Sequence, residues 1–201
     1  MNPKALYNLT YGLYLLTTRE EGKDYGCIIN TAVQVARDPD RIAISVQNSN
    51  KTCEVLKRTE LFNLTAITAD APFDLFKQFG MQSARDVEKF RGYPGVDRAQ
   101  NTLPILSRHG NMYLSVYVDQ VLDLGSHTLF IGQILDGEVL NDKPSCSYSH
   151  YQTQIKPQTK KAATKQWECR ICGHIYEGEE VPDDYLCPLC KHGKEDFVPV
   201  G

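Results

Sequence analysis

The 201-residue chain has no apolar run approaching the roughly 18 residues that a membrane-spanning helix needs. Its N-terminus turns apolar only briefly, at Leu13–Leu16, and lacks the long apolar core and small-residue cleavage site of a secretory signal. The expected location is therefore the cytoplasm, with no membrane partner. A disulfide framework is also missing, because Cys27, Cys53 and Cys146 are scattered and odd in number. They read as small buried hydrophobes. There is no basic footprint for nucleic acid, the net charge being −3. No GxGxxG follows a strand pattern, which removes the usual dinucleotide fold.

The charge that is present is uneven. Residues 167–201 hold eight acids against Arg170, Lys191 and Lys194, a balance of −5. Residues 153–166 hold four lysines and no acid, and residues 1–152 keep −2. The lysine stretch has no aromatic residue and one large aliphatic, Ile155, so it reads as a flexible linker. Three parts follow: a domain over 1–152, a linker over 153–166 and a small acidic domain over 167–201. The acidic surface suits a basic partner as well as plain solvation.

The small domain carries Cys169, Cys172, Cys187 and Cys190, as CRIC, fourteen residues, then CPLC. Each pair offers two thiolates from one turn, and two facing turns close a tetrahedron around a metal. Below about 40 residues a chain seldom folds without disulfides, metal or oligomerisation. Metal is thus also what this segment needs to fold. Four thiolates suit iron or zinc.

The large domain reads as strands at Tyr11–Thr18, Gly26–Val33, Arg41–Asn48, Leu61–Thr68, Met112–Leu122 and His127–Leu135. Short helices are expected over Cys53–Arg58, Phe73–Gln78 and Ala84–Phe90. This pattern predicts a mainly β fold, a closed or nearly closed barrel. Two polar constellations stand out. In Ser45–Thr52 a strand ends and a helix begins, and Asn48, Ser49, Asn50 and Thr52 lie beside free helix N–H groups. On spacing alone the same residues read more simply as a capped helix start, with Thr52 as the N-cap. In FGMQSARDVEKF, Gly80 permits close backbone approach, while Ser83, Arg85 and Lys89 supply hydroxyl and cationic groups.

The small domain resembles a rubredoxin at Trp167, Cys169, Cys172, Gly173, Tyr176, Pro182, Asp184, Tyr185, Cys187, Pro188, Cys190 and Phe197. Its short insert between the pairs is similar to the form that ends rubrerythrins. No ExxH occurs, so the rubrerythrin di-iron bundle is not expected in front of it. The resemblance implies one iron in four thiolates. It leaves a zinc ribbon as the alternative, with His174 and His192 outside the ligand shell. Lys191 stands where many rubredoxins have glycine.

The large domain resembles the flavin reductase-like, flavoredoxin-type family over about residues 5–140. The resemblance rests on FGMQSARDVEKF, the Asn48–Thr52 segment and HTLFIGQIL from His127. It implies a split β-barrel homodimer that binds FMN. Carried over, Asn30, Thr31 and Gln34 would lie along the isoalloxazine ring. Asn48, Ser49, Asn50 and Thr52 would hold the phosphate. Ser83, Arg85 and Lys89 would close over the phosphate and ribityl chain. Val46, Gln47, Phe79 and Gly80 complete the cofactor set, and His127 is the candidate catalytic residue on the nicotinamide side.

The two halves together resemble the high-molecular-weight rubredoxins of anaerobic bacteria. That implies electron flow from NAD(P)H through FMN to iron, then to a flavodiiron (A-type) protein that reduces nitric oxide or dioxygen. Two rivals stay open. One is a carrier reduced by a separate NADH:rubredoxin oxidoreductase. The other is a zinc-ribbon interaction module on a flavin-binding barrel.

Overall fold

A computed structural model describes residues 2–157 and 165–200. The expected linker therefore lies partly, at 158–164, outside the described residues. The chain divides into two compact units, residues 1–157 and 158–201.

The first unit is built on β1 (Tyr14–Glu20), β2 (Lys23–Ile29), β3 (Ala32–Arg37), β4 (Asp40–Gln47), α1 (Lys51–Thr59), β5 (Leu61–Ile67) and α2 (Phe73–Gly80). It continues through β6 (Val96–Arg98), β7 (Pro104–Leu106), β8 (Gly110–Asp123), β9 (His127–Val139), α3 (Tyr148–His150) and a π-helical turn at Tyr151–Ile155. Seven strands form one sheet in the order β2-β1-β5-β8-β9-β4-β3. Its end strands β2 and β3 are consecutive in sequence but are not paired with each other. The barrel is thus open on that side, which is what makes it split.

Successive strand side chains face opposite ways, and β1 shows why this sheet is covered twice. Leu15 and Leu16 are neighbours and both are fully buried. Leu16 joins Ile44, Val46, Phe62, Leu64, Val116 and Phe130, closed by Cys53 and Leu56 of α1. Leu15 joins Leu13, Ile67 and the α2 residues Leu75, Phe76 and Phe79. Asn50, not Thr52, caps α1: the helix already begins at Lys51, and the Asn50 side chain accepts from the Thr52 N–H at 3.0 Å, while Glu60 ends the helix in the left-handed region.

Two expectations change. Gly26–Val33 is not one strand: it breaks after Ile29, and Ala32 starts β3, which pairs with β4 rather than β1. Ala84–Phe90 is not a helix but a series of turns. There Phe90 packs on Phe79, with ring centroids 5.0 Å apart. Lys89 runs inward to two backbone carbonyls, so helical geometry gives way to tertiary bonds. The turn at Tyr151–Ile155 also reaches into the lysine-rich stretch, because Ile155 packs against the α2 cluster.

A polar clamp holds the returning chain. Asp70, just beyond β5, accepts from Lys143 Nζ at 2.7 Å and Thr68 Oγ1 at 2.6 Å. Next to it Ala69 N–H donates to the Pro144 carbonyl, and Thr68 bridges to Ser145. This aims the chain into α3 and places Tyr148. Lys143, then Thr68, hold the Asp70 carboxyl at about 2, against its ordinary 3.8. The sign follows: the clamp's contribution is complete above pH ~4 and is lost as pH falls towards about 2. Both side chains are half exposed, so the contribution is small. Lys143→Met should raise the Asp70 midpoint towards the ordinary carboxylate value, as read by carboxyl NMR titration.

The second unit is a three-stranded sheet, β11-β10-β12, made of β10 (Gln166–Cys169), β11 (Ile175–Glu177) and β12 (Phe197–Val200). Its core is small: Cys169, Val181, Cys187 and Phe197, walled by Trp167, Tyr176 and Tyr185. Among the described residues no helix is long and apolar enough to cross a membrane.

Candidate functional sites

The sheet opens a cavity of about 500 Å³ where several elements end together. β2 contributes Cys27–Ile29 and leads into Asn30 and Thr31; β4 contributes Ser45, Val46 and Gln47. Asn50 comes from the α1 cap, Phe79 and Gly80 from the end of α2. Ser126 and His127 come from the β8–β9 turn, and Lys89 and Gln82 from the turns after α2. Nine expected residues meet here: Asn30, Thr31, Val46, Gln47, Asn50, Phe79, Gly80, Lys89 and His127.

The remaining six do not line the cavity. Gln34 donates to Asp40 Oδ1 at 2.8 Å, at the far end of the β3–β4 hairpin. Asn48 joins strands at the β9 end: it donates to the Gly125 carbonyl at 2.8 Å and accepts from Thr128 Oγ1. Ser49 is exposed beside it. Ser83 accepts from the Arg85 N–H at 3.1 Å, and Arg85 reaches Glu54 at 2.8 Å. Thr52 is fully buried at the start of α1, and its Oγ1 has no hydrogen-bond partner.

Lys89 is the unusual member. It is 3% exposed, yet its Nζ reaches only the carbonyls of Phe79 at 2.9 Å and Gly26 at 3.1 Å. No carboxylate pairs with it among the described residues. An ammonium has three donors, so one remains for whatever fills the cavity. Burial lowers its pKa, with the Cys27 thiol the one opposing neighbour. Burial likewise pushes the Cys27 thiol up to about 11, partly offset by Lys89. The cavity wall therefore combines a buried positive charge, the Asn50 cap of α1, the amides of Asn30 and Gln47, and apolar strand ends. That set suits a planar, partly apolar ligand carrying an anionic group, and a flavin phosphate fits it.

Sequence reasoning missed Cys27, Ser45, Gln82, Ser126 and Tyr148 as wall residues. Gln82 lies inside FGMQSARDVEKF and Ser126 precedes His127, so both were within reach. Ser126 Oγ and His127 Nδ1 are 2.9 Å apart. Tyr148 arrives from over a hundred residues beyond β4 and left no local signal.

In the second unit the sulfurs of Cys169, Cys172, Cys187 and Cys190 all lie within 4.8 Å of one another. Two pairs are at 3.6 Å and 3.5 Å. A tetrahedron with ~2.3 Å metal–sulfur bonds has edges of about 3.8 Å, so the site is close to the size a metal needs. The two knuckles match step for step. Cys169 N–H donates to the His174 carbonyl at 2.9 Å, and Cys187 N–H to that of His192 at 2.8 Å. Gly173 and Lys191 donate back to the Cys169 and Cys187 carbonyls, each at 2.8 Å. Both sit in the left-handed region, at φ 72° and 63°. Lys191 thus keeps the turn that glycine makes in the first knuckle. The N–H of His174 acts to lower the Cys172 thiol and that of His192 the Cys190 thiol, each through a hydrogen bond to sulfur, although burial and the neighbouring thiols leave both raised on balance.

These N–H groups favour thiolate, and thiolate is the metal-binding form. The imidazoles stay outside. His174 Nε2 meets Tyr185 Oη at 3.2 Å, and His192 Nδ1 its neighbour's carbonyl at 3.0 Å. Tyr185 packs between Tyr176, tilted at a centroid distance of 4.6 Å, and Phe197, edge-on at 5.5 Å, and shields the buried side. The four-sulfur donor set fits iron. Lys191→Gly should keep the site and stabilise the unit by up to about 1 kcal/mol, by removing left-handed strain. Gly173→Val should cost more than that and weaken metal retention in a chelator competition.

Comparison with known proteins agrees with both halves. Residues 6–158 match the flavin reductase like domain, and residues 167–198 the rubrerythrin, rubredoxin-like domain. The chain is 30% identical to the high molecular weight rubredoxin of Moorella thermoacetica, over the full length of both. It is 29% identical to the ferric-chelate reductase (NAD(P)H) of Archaeoglobus fulgidus, over 85% of this chain and all of that one. The FMN-binding protein of Thermus thermophilus shares the fold, with TM-score 0.62 at 18% identity over 70% of this chain and 76% of that one. The chain belongs to the flavin reductase-like family and, through its rubredoxin-like C-terminal domain, to the high-molecular-weight rubredoxins.

Proposed function

We propose that this protein takes electrons from NAD(P)H into a bound FMN and passes them singly through iron to a partner protein. One observation carries the reading: a single chain holds both a flavin-type cavity and a four-thiolate site. A flavin accepts a hydride and can release electrons one at a time, while iron in four thiolates takes one. Asn50 and the α1 N-terminus receive the phosphate end. Asn30, Thr31 and the Ser45–Gln47 edge hold the ring through backbone and amide groups. His127, with Ser126 beside its Nδ1, meets the hydride donor at the cavity mouth.

The protein that receives the electrons is a flavodiiron (A-type) protein, on the family resemblance. Its docking is supported by Ile171, Leu186 and Leu189. These three stand exposed on the two cysteine knuckles, in a unit with a balance of −5. The working state is a cytoplasmic homodimer. In support, Val33 and Leu122 are each 56% exposed. The strand register puts Val33 on one sheet face with Ala43 and Ile131, and Leu122 beside Leu129 on that face. A second copy would cover this apolar strip.

Anaerobic mixing of the flavin- and iron-loaded protein with NADH or NADPH tests the relay. The expected result is loss of flavin absorbance followed by bleaching of the ferric–thiolate band. Flavin reduction with iron left ferric would break the relay. If both centres stay oxidised until an NADH:rubredoxin oxidoreductase is added, the protein is a carrier reduced by that enzyme.

A further inference from the structure

The cations nearest the α1 N-terminus are not free to meet an anion. Arg85 Nη2 lies 2.8 Å from Glu54 Oε2, and Lys51 Nζ lies 3.4 Å from the same oxygen. Glu54 is in the first turn of α1, just after the Asn50 cap that lines the cavity. Arg85 itself is not part of the cavity wall. At this helix end Asn50 takes the Thr52 N–H on its side chain and those of Cys53 and Glu54 on its carbonyl, the buried Thr52 Oγ1 has no partner, and the helix dipole favours an anion. One carboxylate oxygen is thus occupying the two side chains that an arriving phosphate would attract.

We propose that Glu54, which holds Arg85 and Lys51, competes with the flavin phosphate for them. It thereby sets how strongly the protein prefers a phosphorylated flavin over an unphosphorylated one. The proposal rests on the flavin reading above and adds a specificity-determining residue to it.

The sign follows from Coulomb's law. Glu54 is a negative charge within one helical turn of the anion site, so it repels a phosphate directly. It also neutralises two cations. Its ion pairs are partly exposed, with side-chain exposures of 49% for Arg85 and 42% for Glu54. Exchanging one acceptor for another therefore costs little. Glu54→Gln keeps the shape and removes the charge. A charge in the first turn of a surface helix changes an anion's affinity by up to about fivefold, and the difference shrinks as salt screens it. Riboflavin, which has no phosphate, should not feel the change.

The test is a fluorescence titration of flavin-stripped, full-length protein with FMN and with riboflavin. It compares the wild type, Glu54→Gln, Arg85→Gln and the double variant, at low and high salt. Glu54→Gln is expected to bind FMN up to about fivefold more tightly and riboflavin unchanged. Arg85→Gln should weaken FMN binding and shrink the gain from Glu54→Gln in the double variant. FMN affinity unchanged or weakened in Glu54→Gln would overturn the proposal, as would equal tightening of FMN and riboflavin. If the wild type binds neither flavin, the flavin reading fails first and the proposal falls with it. That outcome is visible without any variant.

Discussion

Four sulfurs within 4.8 Å of one another do not stay together as thiolates unless a cation lies between them. As thiols they constrain one another instead. Burial and their mutual hydrogen bonds push Cys172 up to about 12 although the His174 N–H, the largest single influence, lowers it. The remaining core of that unit is Val181 and Phe197 with three half-buried aromatics, too little to hold a three-stranded sheet alone. Metal, knuckle turns and sheet therefore form one unit of stability. Gly173 and Lys191 turn the backbone, the following N–H groups point at sulfur, and the aromatic wall keeps one side dry. The opposite side is open, with Cys172 exposed. A buried donor set with one exposed sulfur is the arrangement an electron carrier needs.

The first unit answers a different requirement with the same economy of charge. The sheet leaves a cavity where its strands end, and there the helix N-terminus of α1 and the inward Lys89 converge. Burying an ammonium against two neutral carbonyls is tolerable because it makes charge-assisted bonds, but it leaves the cavity positive. An anionic ligand restores the balance. Fold and ligand are coupled by that lysine: it ties β2 to α2 while lining the cavity between them.

Much of this was legible in the residues. The cysteine spacing, flanked by Trp167, Tyr176 and Tyr185, identified the second site, because short-range turns determine where its ligands lie. Most strands of the first unit were legible from β-branched runs. What stayed hidden depends on partners far along the chain. The break at Asn30–Thr31 is invisible locally, since the residues on both sides favour strands and only pairing with β4 separates them. Ala84–Phe90 has helical spacing, but Lys89 and Phe90 gain more from the core than from a helix. Tyr148 reaches the cavity because Asp70 and Lys143 clamp the returning chain. Arg85 reads as a phosphate ligand in the motif, whereas in the structure Glu54 holds it.

The central proposal is that one chain holds both a two-electron and a one-electron centre. Anaerobic reductive titration of the full-length protein, loaded with flavin and iron, tests this most directly by counting electrons against both absorbance bands. The account predicts about three electron equivalents per chain, two with the flavin band and one with the ferric–thiolate band. Uptake of about two, with no thiolate band or one that does not respond, would contradict it.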